Sequence, residues 1–143
     1  MPRSPSPLTE MAMETKPPVP VVCAIIVRED RIMLARRPPD KKLGGLWEFP
    51  GGKVELGETA EAALHRELHE ELGCVVRIVQ TLPPFVHDYS WGSIELLPFV
   101  CELAVGSPEP HPHEHTALAW VERSALHSYE LAPADVPLLK ALI

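Results

Sequence analysis

The sequence predicts an α/β (α+β) domain in which a mixed β-sheet is flanked by helices. Two observations carry that expectation. Short β-branched runs stand on both sides of one long helical pattern, without the strict strand–helix alternation of a parallel sheet. The helical pattern, Thr59 to Leu72, holds no Gly or Pro and is bounded by a capping threonine and by Gly73.

The elements are expected in this order. Residues 1–18 (MPRSPSPLTEMAMETKPP) are rich in Pro and Ser, lack periodicity and are expected to be a disordered tail, leaving 19–143 as one domain. Val19 to Val27 reads as a buried strand, Arg28-Glu29-Asp30 as a turn and Arg31 to Ala35 as the returning strand. Arg36 to Gly45 is a polar loop. Leu46 to Phe49 is a short strand stopped by Pro50-Gly51-Gly52. After the helix, strands are expected near Val75 to Leu82 and Ile94 to Leu103, separated by an aromatic loop with His87, Tyr89 and Trp91. A Pro/His loop spans 106–115, Leu118 to Val121 is a strand, and Pro133 to Ile143 is a closing helix with proline in its first turn.

Composition narrows the function. A net charge of -7 opposes binding to a nucleic-acid polymer, which needs Lys and Arg against phosphates. No apolar run approaches the eighteen or so residues needed to span a bilayer, and the first twenty residues lack the apolar core of a signal peptide. A cytoplasmic protein without a membrane partner is therefore expected. The three cysteines, Cys23, Cys74 and Cys101, have no metal-type spacing and are expected to be buried thiols.

The chemistry concentrates in GKVELGETAEAALHRELHEELG, from Gly52 to Gly73. At about 100° per residue, Ala60, Leu64, Leu68 and Leu72 form one apolar stripe. Glu67 and Glu71 fall beside that stripe, next to the small Ala60 and Ala63, and Glu70 lies just beyond. A solvated acidic face belongs opposite the leucines, so these acids stand on the wrong side of the helix. Partly buried carboxylates without a partner are costly, and a cation resolves the conflict. Oxygen-only ligands select a hard ion, Mg²⁺ or Mn²⁺ rather than Zn²⁺. A salt-bridged structural cluster is the alternative.

Gly52, five residues, Glu58, seven residues, then Arg66-Glu67-Leu68-x-Glu70-Glu71-x-Gly73 resembles the complete signature of the Nudix hydrolases. Cys74 departs slightly, standing where the family carries an aliphatic residue. The resemblance implies an α/β/α sandwich and assigns roles. Glu70 and Glu71, with the Gly51 carbonyl, would ligate Mg²⁺ (or Mn²⁺); Glu67 would position a metal or the attacking water; Arg66 would orient these acids with Glu58 as its ion-pair partner. The wider chain is similar to MutT-type nucleoside triphosphate pyrophosphohydrolases, including those acting on CTP, modified pyrimidine nucleotides or 8-oxo-dGTP. That similarity implies a nucleotide-pool hydrolase, monomeric or homodimeric, producing a nucleoside monophosphate and pyrophosphate. By the same alignment Arg37 would contact the phosphates, with Lys53 beside them, and Glu114 would be a metal ligand or the catalytic base. The histidines flanking Glu114 (His111, His113 and His115) read as a polar loop. Asp135 falls at the base-reading position, where an ionised aspartate only accepts hydrogen bonds, and Tyr89 with Trp91 would stack on the base. Other nucleoside diphosphate-linked substrates, or a catalytically silent binding domain, are the competing readings.

Overall fold

The structure is a computed structural model and describes residues 16–143. Most of the expected tail, residues 1–15, lies outside the described residues; Lys16 to Pro18 form no element. The sheet has eight strands: β1 (Val19–Arg28), β2 (Arg31–Arg36), β3 (Trp47–Glu48), β4 (Gly51–Lys53), β5 (Val76–Thr81), β6 (Phe85–Tyr89), β7 (Gly92–Leu103) and β8 (Ala117–Glu122). The principal path runs β3-β2-β1-β7-β5, with β4 on β1, β6 on β7 and β8 on β2. The sheet is mixed, as expected. β1 runs parallel to β7 from Val19↔Ile94 to Ile26↔Cys101, and the other pairings are antiparallel.

Because successive strand residues point to opposite faces, β1 builds two cores. Val22, Ala24 and Ile26 join Met33, Phe99 and Cys101 under Ala63, Leu64, Leu68 and Leu72 of helix α1 (Ala60–Leu72). Cys23 and Ile25 join Ile32, Leu34, Phe49, Leu96 and Val121 on the other face, covered by Leu126, Leu131, Leu138 and Leu142. This places helical segments on both faces of the sheet. All three cysteines are free and buried, and burial pushes the thiols of Cys74 and Cys101 up to about 11 and about 12.

Helix α1 begins and ends where its sequence demands. Thr59 Oγ1 accepts from the Ala62 amide at 3.1 Å, and Gly73 takes the left-handed conformation (φ 65°) that a side chain disfavours. Ahead of it, β4 lies so close to β1 that a Cβ on Gly51 would overlap the Val22 carbonyl oxygen. This strand was hidden in the sequence by its two glycines.

Two expectations need correction. The aromatic stretch is a hairpin rather than a loop: β6 pairs with β7 from Phe85↔Leu96 to Tyr89↔Gly92. Its period-two pattern is carried by Phe85, His87 and Tyr89 rather than by aliphatic residues, and Pro83-Pro84 precede it. The closing segment is not one α-helix. It is a 3₁₀ helix, Pro133–Leu138, followed by a single α-turn, α2 (Leu139–Leu142). Pro137 lacks the N–H that an α-helical ladder needs at that position. Among the described residues, no helix is long and apolar enough to cross a membrane.

Candidate active site

Helix α1 presents its acids in three different settings. Arg66 gathers two of them. Its Nε donates to Glu58 Oε2 at 2.7 Å, NH2 to Glu58 Oε1 and the Lys53 carbonyl at 3.0 Å each, and NH1 to Glu67 Oε1 at 2.8 Å and Glu70 Oε2 at 3.3 Å. These bonds raise the Arg66 pKa further and hold the Glu58 carboxyl below its ordinary range. Glu67 is largely enclosed (15% side-chain exposure) and Glu70 is open (56%). Burial raises the Glu67 pKa, against the opposing pull of Arg66.

Glu71 has no such counter-charge. Its Oε1 is buried with no hydrogen-bond partner. Burial first, then repulsion from Glu48, Glu67 and Glu114, pushes its carboxyl up to about 9; a backbone hydrogen bond from Gly51 offsets only part of this. An orphaned buried carboxylate oxygen is costly, and here it stands among three further acids.

Of the oxygen donors expected for a divalent cation, Glu67, Glu70 and Glu71 share α1, Gly51 of β4 reaches Glu71 through its backbone, and Glu114 of the 106–115 loop shares a hollow with Glu71. Among the described residues, three such side chains are not already gathered at ligand distance, since Glu67 and Glu70 turn toward Arg66. The donor set still fits a hard cation. It is all oxygen, and its most buried member has a free oxygen and an excess of negative charge around it.

A cleft of about 600 Å³ opens beside these acids. Arg37, Lys42, Glu48, Gly51, Lys53, Glu67, Glu71, Tyr89, Trp91 and Asp135 line it. A larger hollow around Arg28, Arg31 and Trp120 lies away from these residues, its arginines already paired with Glu109, Glu122 and Asp30. Chemistry favours the smaller one. Within it Tyr89 and Trp91 stack nearly parallel, centroids 4.7 Å apart, and the Lys42 ammonium sits 4.8 Å from the Trp91 ring. The Ala134 amide donates to the Tyr89 hydroxyl at 3.0 Å, tying the hairpin to the segment that carries Asp135.

Asp135 differs from expectation. It is 5% exposed, and its Oδ2 accepts from the Phe49 amide at 3.0 Å. Burial, then the Glu48 charge, pushes its carboxyl up to about 8, against that amide bond and Arg37. Burial thus favours the protonated carboxyl over the ionised acceptor considered from the sequence. A protonated carboxyl offers one donor and one acceptor, as an asparagine amide does.

Glu48 and His115 carry roles that the sequence reading missed. Glu48 Oε1 accepts from Arg37 NH1 at 3.1 Å and its Oε2 from His115 Nε2 at 2.9 Å. The same carboxylate repels Glu71 on one side and Asp135 on the other. The available signal was an acid between Trp47 and Phe49 in an otherwise apolar strand. Arg37 is further held by the Lys42 carbonyl, which accepts from its Nε at 2.7 Å.

Comparison with known proteins agrees with this arrangement. A NUDIX domain model matches residues 21–141. The chain is 41% identical over 125 residues to the CTP pyrophosphohydrolase of Escherichia coli K12, covering 87% of this chain and 91% of that protein. It is 35% identical over 124 residues to the 8-oxo-dGTP diphosphatase of Haemophilus influenzae, covering 85% and 90%. The solution structure of the E. coli ORF135 protein superposes with a TM-score of 0.76 at 39% identity, covering 90% of each chain. With its signature helix, sheet and acids placed as described, the chain belongs to the Nudix family.

Proposed function

We propose that this protein is a metal-dependent nucleoside triphosphate pyrophosphohydrolase, cleaving the anhydride between the α and β phosphates to release a nucleoside monophosphate and pyrophosphate. One observation carries the reading: the orphaned, charge-crowded Glu71 borders a cleft that also holds three cationic side chains, a stacked aromatic pair and the buried Asp135 carboxyl. The names of relatives acting on CTP and 8-oxo-dGTP support a nucleotide substrate.

Gly51, Glu67, Glu70, Glu71 and Glu114 would hold Mg²⁺ (Mn²⁺ substituting). When bound, such an ion neutralises phosphate charge and lowers the pKa of water. The chain's own groups do the rest. Arg37, fixed by Glu48 and the Lys42 carbonyl, and Lys53 meet the phosphates. Arg66 holds Glu67 and Glu70 in place through Glu58. Glu114 makes no protein hydrogen bond among the described residues and faces Glu71 across a shallow hollow shared with Arg37 and Asp40. Glu114 or Glu67 would take the proton of the attacking water. Trp91 and Tyr89 give the base a face to stack on, and Asp135 reads its edge.

The working unit is residues 19–143, a cytoplasmic monomer or homodimer acting on small molecules rather than on a nucleic-acid polymer or a membrane. Canonical and oxidised nucleoside triphosphates, assayed at low concentration with Mg²⁺ and ranked by kcat/KM, test the reading. A preference for CTP or 8-oxo-dGTP with pyrophosphate as product supports it. Turnover restricted to nucleotide sugars or dinucleoside polyphosphates, or none at all, overturns it.

A further inference from the structure

The last four carbonyls of an α-helix have no partner within it. In α1 all four are satisfied, and one short segment satisfies three. The Gly73 amide donates to the His69 carbonyl at 3.0 Å. The His113 ring Nδ1 donates to the Glu70 carbonyl at 2.9 Å, the His113 amide to Glu71 at 3.0 Å and the His111 amide to Leu72 at 2.9 Å. The imidazole lies over Gly73, where a Cβ would stand 3.2 Å from its Cε1. That glycine thus admits the ring as well as the left-handed turn.

Two residues beyond, His115 is buried and donates to Glu48, and the Thr116 amide donates to the Arg36 carbonyl at 3.0 Å. Glu114 is strung between these anchors. Its own side chain is exposed and unbonded to protein among the described residues, so the backbone is what sets the region its carboxylate can reach. Pro108, Pro110 and Pro112 deny the segment a backbone ladder of its own.

We infer that His113 is a positioning residue: it latches the 111–115 strap to the end of α1, and the latch sets the place of the Glu114 carboxylate beside Glu71. The inference rests on Glu114 belonging to the active site, and the test separates the two. Four variants are compared: His113→Ala, His113→Asn, Glu114→Gln and the His113→Ala/Glu114→Gln double variant. Mn²⁺ binding to the substrate-free protein is followed by electron paramagnetic resonance alongside kinetics and melting. His113→Ala should lower kcat about tenfold, the order of one hydrogen bond, with KM changed less than about twofold. It should also weaken Mn²⁺ binding severalfold. His113→Asn, whose amide nitrogen falls where Nδ1 stood, should restore most of both. In the Glu114→Gln background, His113→Ala should cost less than about twofold more, because coupled residues are not additive. An equal loss in both backgrounds, no rescue by asparagine, or an indifferent His113→Ala beside a slow Glu114→Gln overturns the latch. A fully active Glu114→Gln removes Glu114 from the site and the inference with it.

Discussion

The Glu67 carboxylate lies against the bare face of Gly52, so that a Cβ there would overlap its Cδ and both oxygens. Gly52 is not in the left-handed region, and its substitution brings no backbone strain. Its need for glycine comes from Glu67. Gly52→Ala should therefore fold, melt within about 4 °C of the parent, as a change of about 1 kcal/mol implies, and lose most of its kcat. A folded, fully active Gly52→Ala would show that the position of Glu67 is immaterial.

Metal-free stability should reveal Glu71. Its carboxyl is raised to about 9 in the folded protein from an ordinary 4.5. Between those values the folded state holds a proton that the unfolded state has lost, so stability falls as pH rises through that window. Glu71→Gln removes this loss. The variant should equal the parent near pH 4 and exceed it at pH 8 by on the order of 1–3 kcal/mol, while turning over little. Denaturant titrations in chelator at both pH values check it. A variant less stable at pH 8 contradicts the crowding.

Asp135 has the same sign, rising from 3.8 to about 8. Asp135→Asn copies the protonated form, its oxygen still able to accept from the Phe49 amide. Near pH 7 its kcat/KM should stay within about threefold of the parent. Above pH 8 the parent should decline as its donor is lost and the asparagine variant should not. Asp135→Ala, losing donor and acceptor, should cost roughly ten- to a hundredfold near pH 7. Coincident pH profiles for the parent and Asp135→Asn would show that this proton is not used.

A chain beginning at Val19, the first residue of β1, should keep kcat and KM within a factor of about three, since Lys16 to Pro18, the described residues before it, are exposed and form no element. A large fall in kcat would bring the preceding residues into the site.

The legible parts of the molecule were those with strong local rules. Thr59 and Gly73 bound α1, and the leucine stripe oriented it well enough to show Glu67 and Glu71 on the wrong side. The Arg66–Glu58 pair, joined at 2.7 Å, is the one that the resemblance implies. Long-range relations were not legible. Nothing near Glu48 in the chain announces His115, 67 residues away, and nothing near Asp135 announces the Phe49 amide that helps to bury it. The β6 strand escaped because its inward residues are aromatic or polar, and the final helix failed at Pro137 because a favourable N-terminal proline outweighed an interior one.

The central claim is that this site splits nucleoside triphosphates between the α and β phosphates with the help of a hard cation at the α1 acids. The most direct test gives metal-stripped protein CTP and 8-oxo-dGTP, titrates Mg²⁺ and resolves the products by ³¹P NMR. No turnover is expected in chelator, with saturable activation by Mg²⁺, monophosphate and pyrophosphate in equal amounts, and Glu71→Gln nearly silent. Turnover that survives the chelator, or release of orthophosphate and a nucleoside diphosphate, would contradict it.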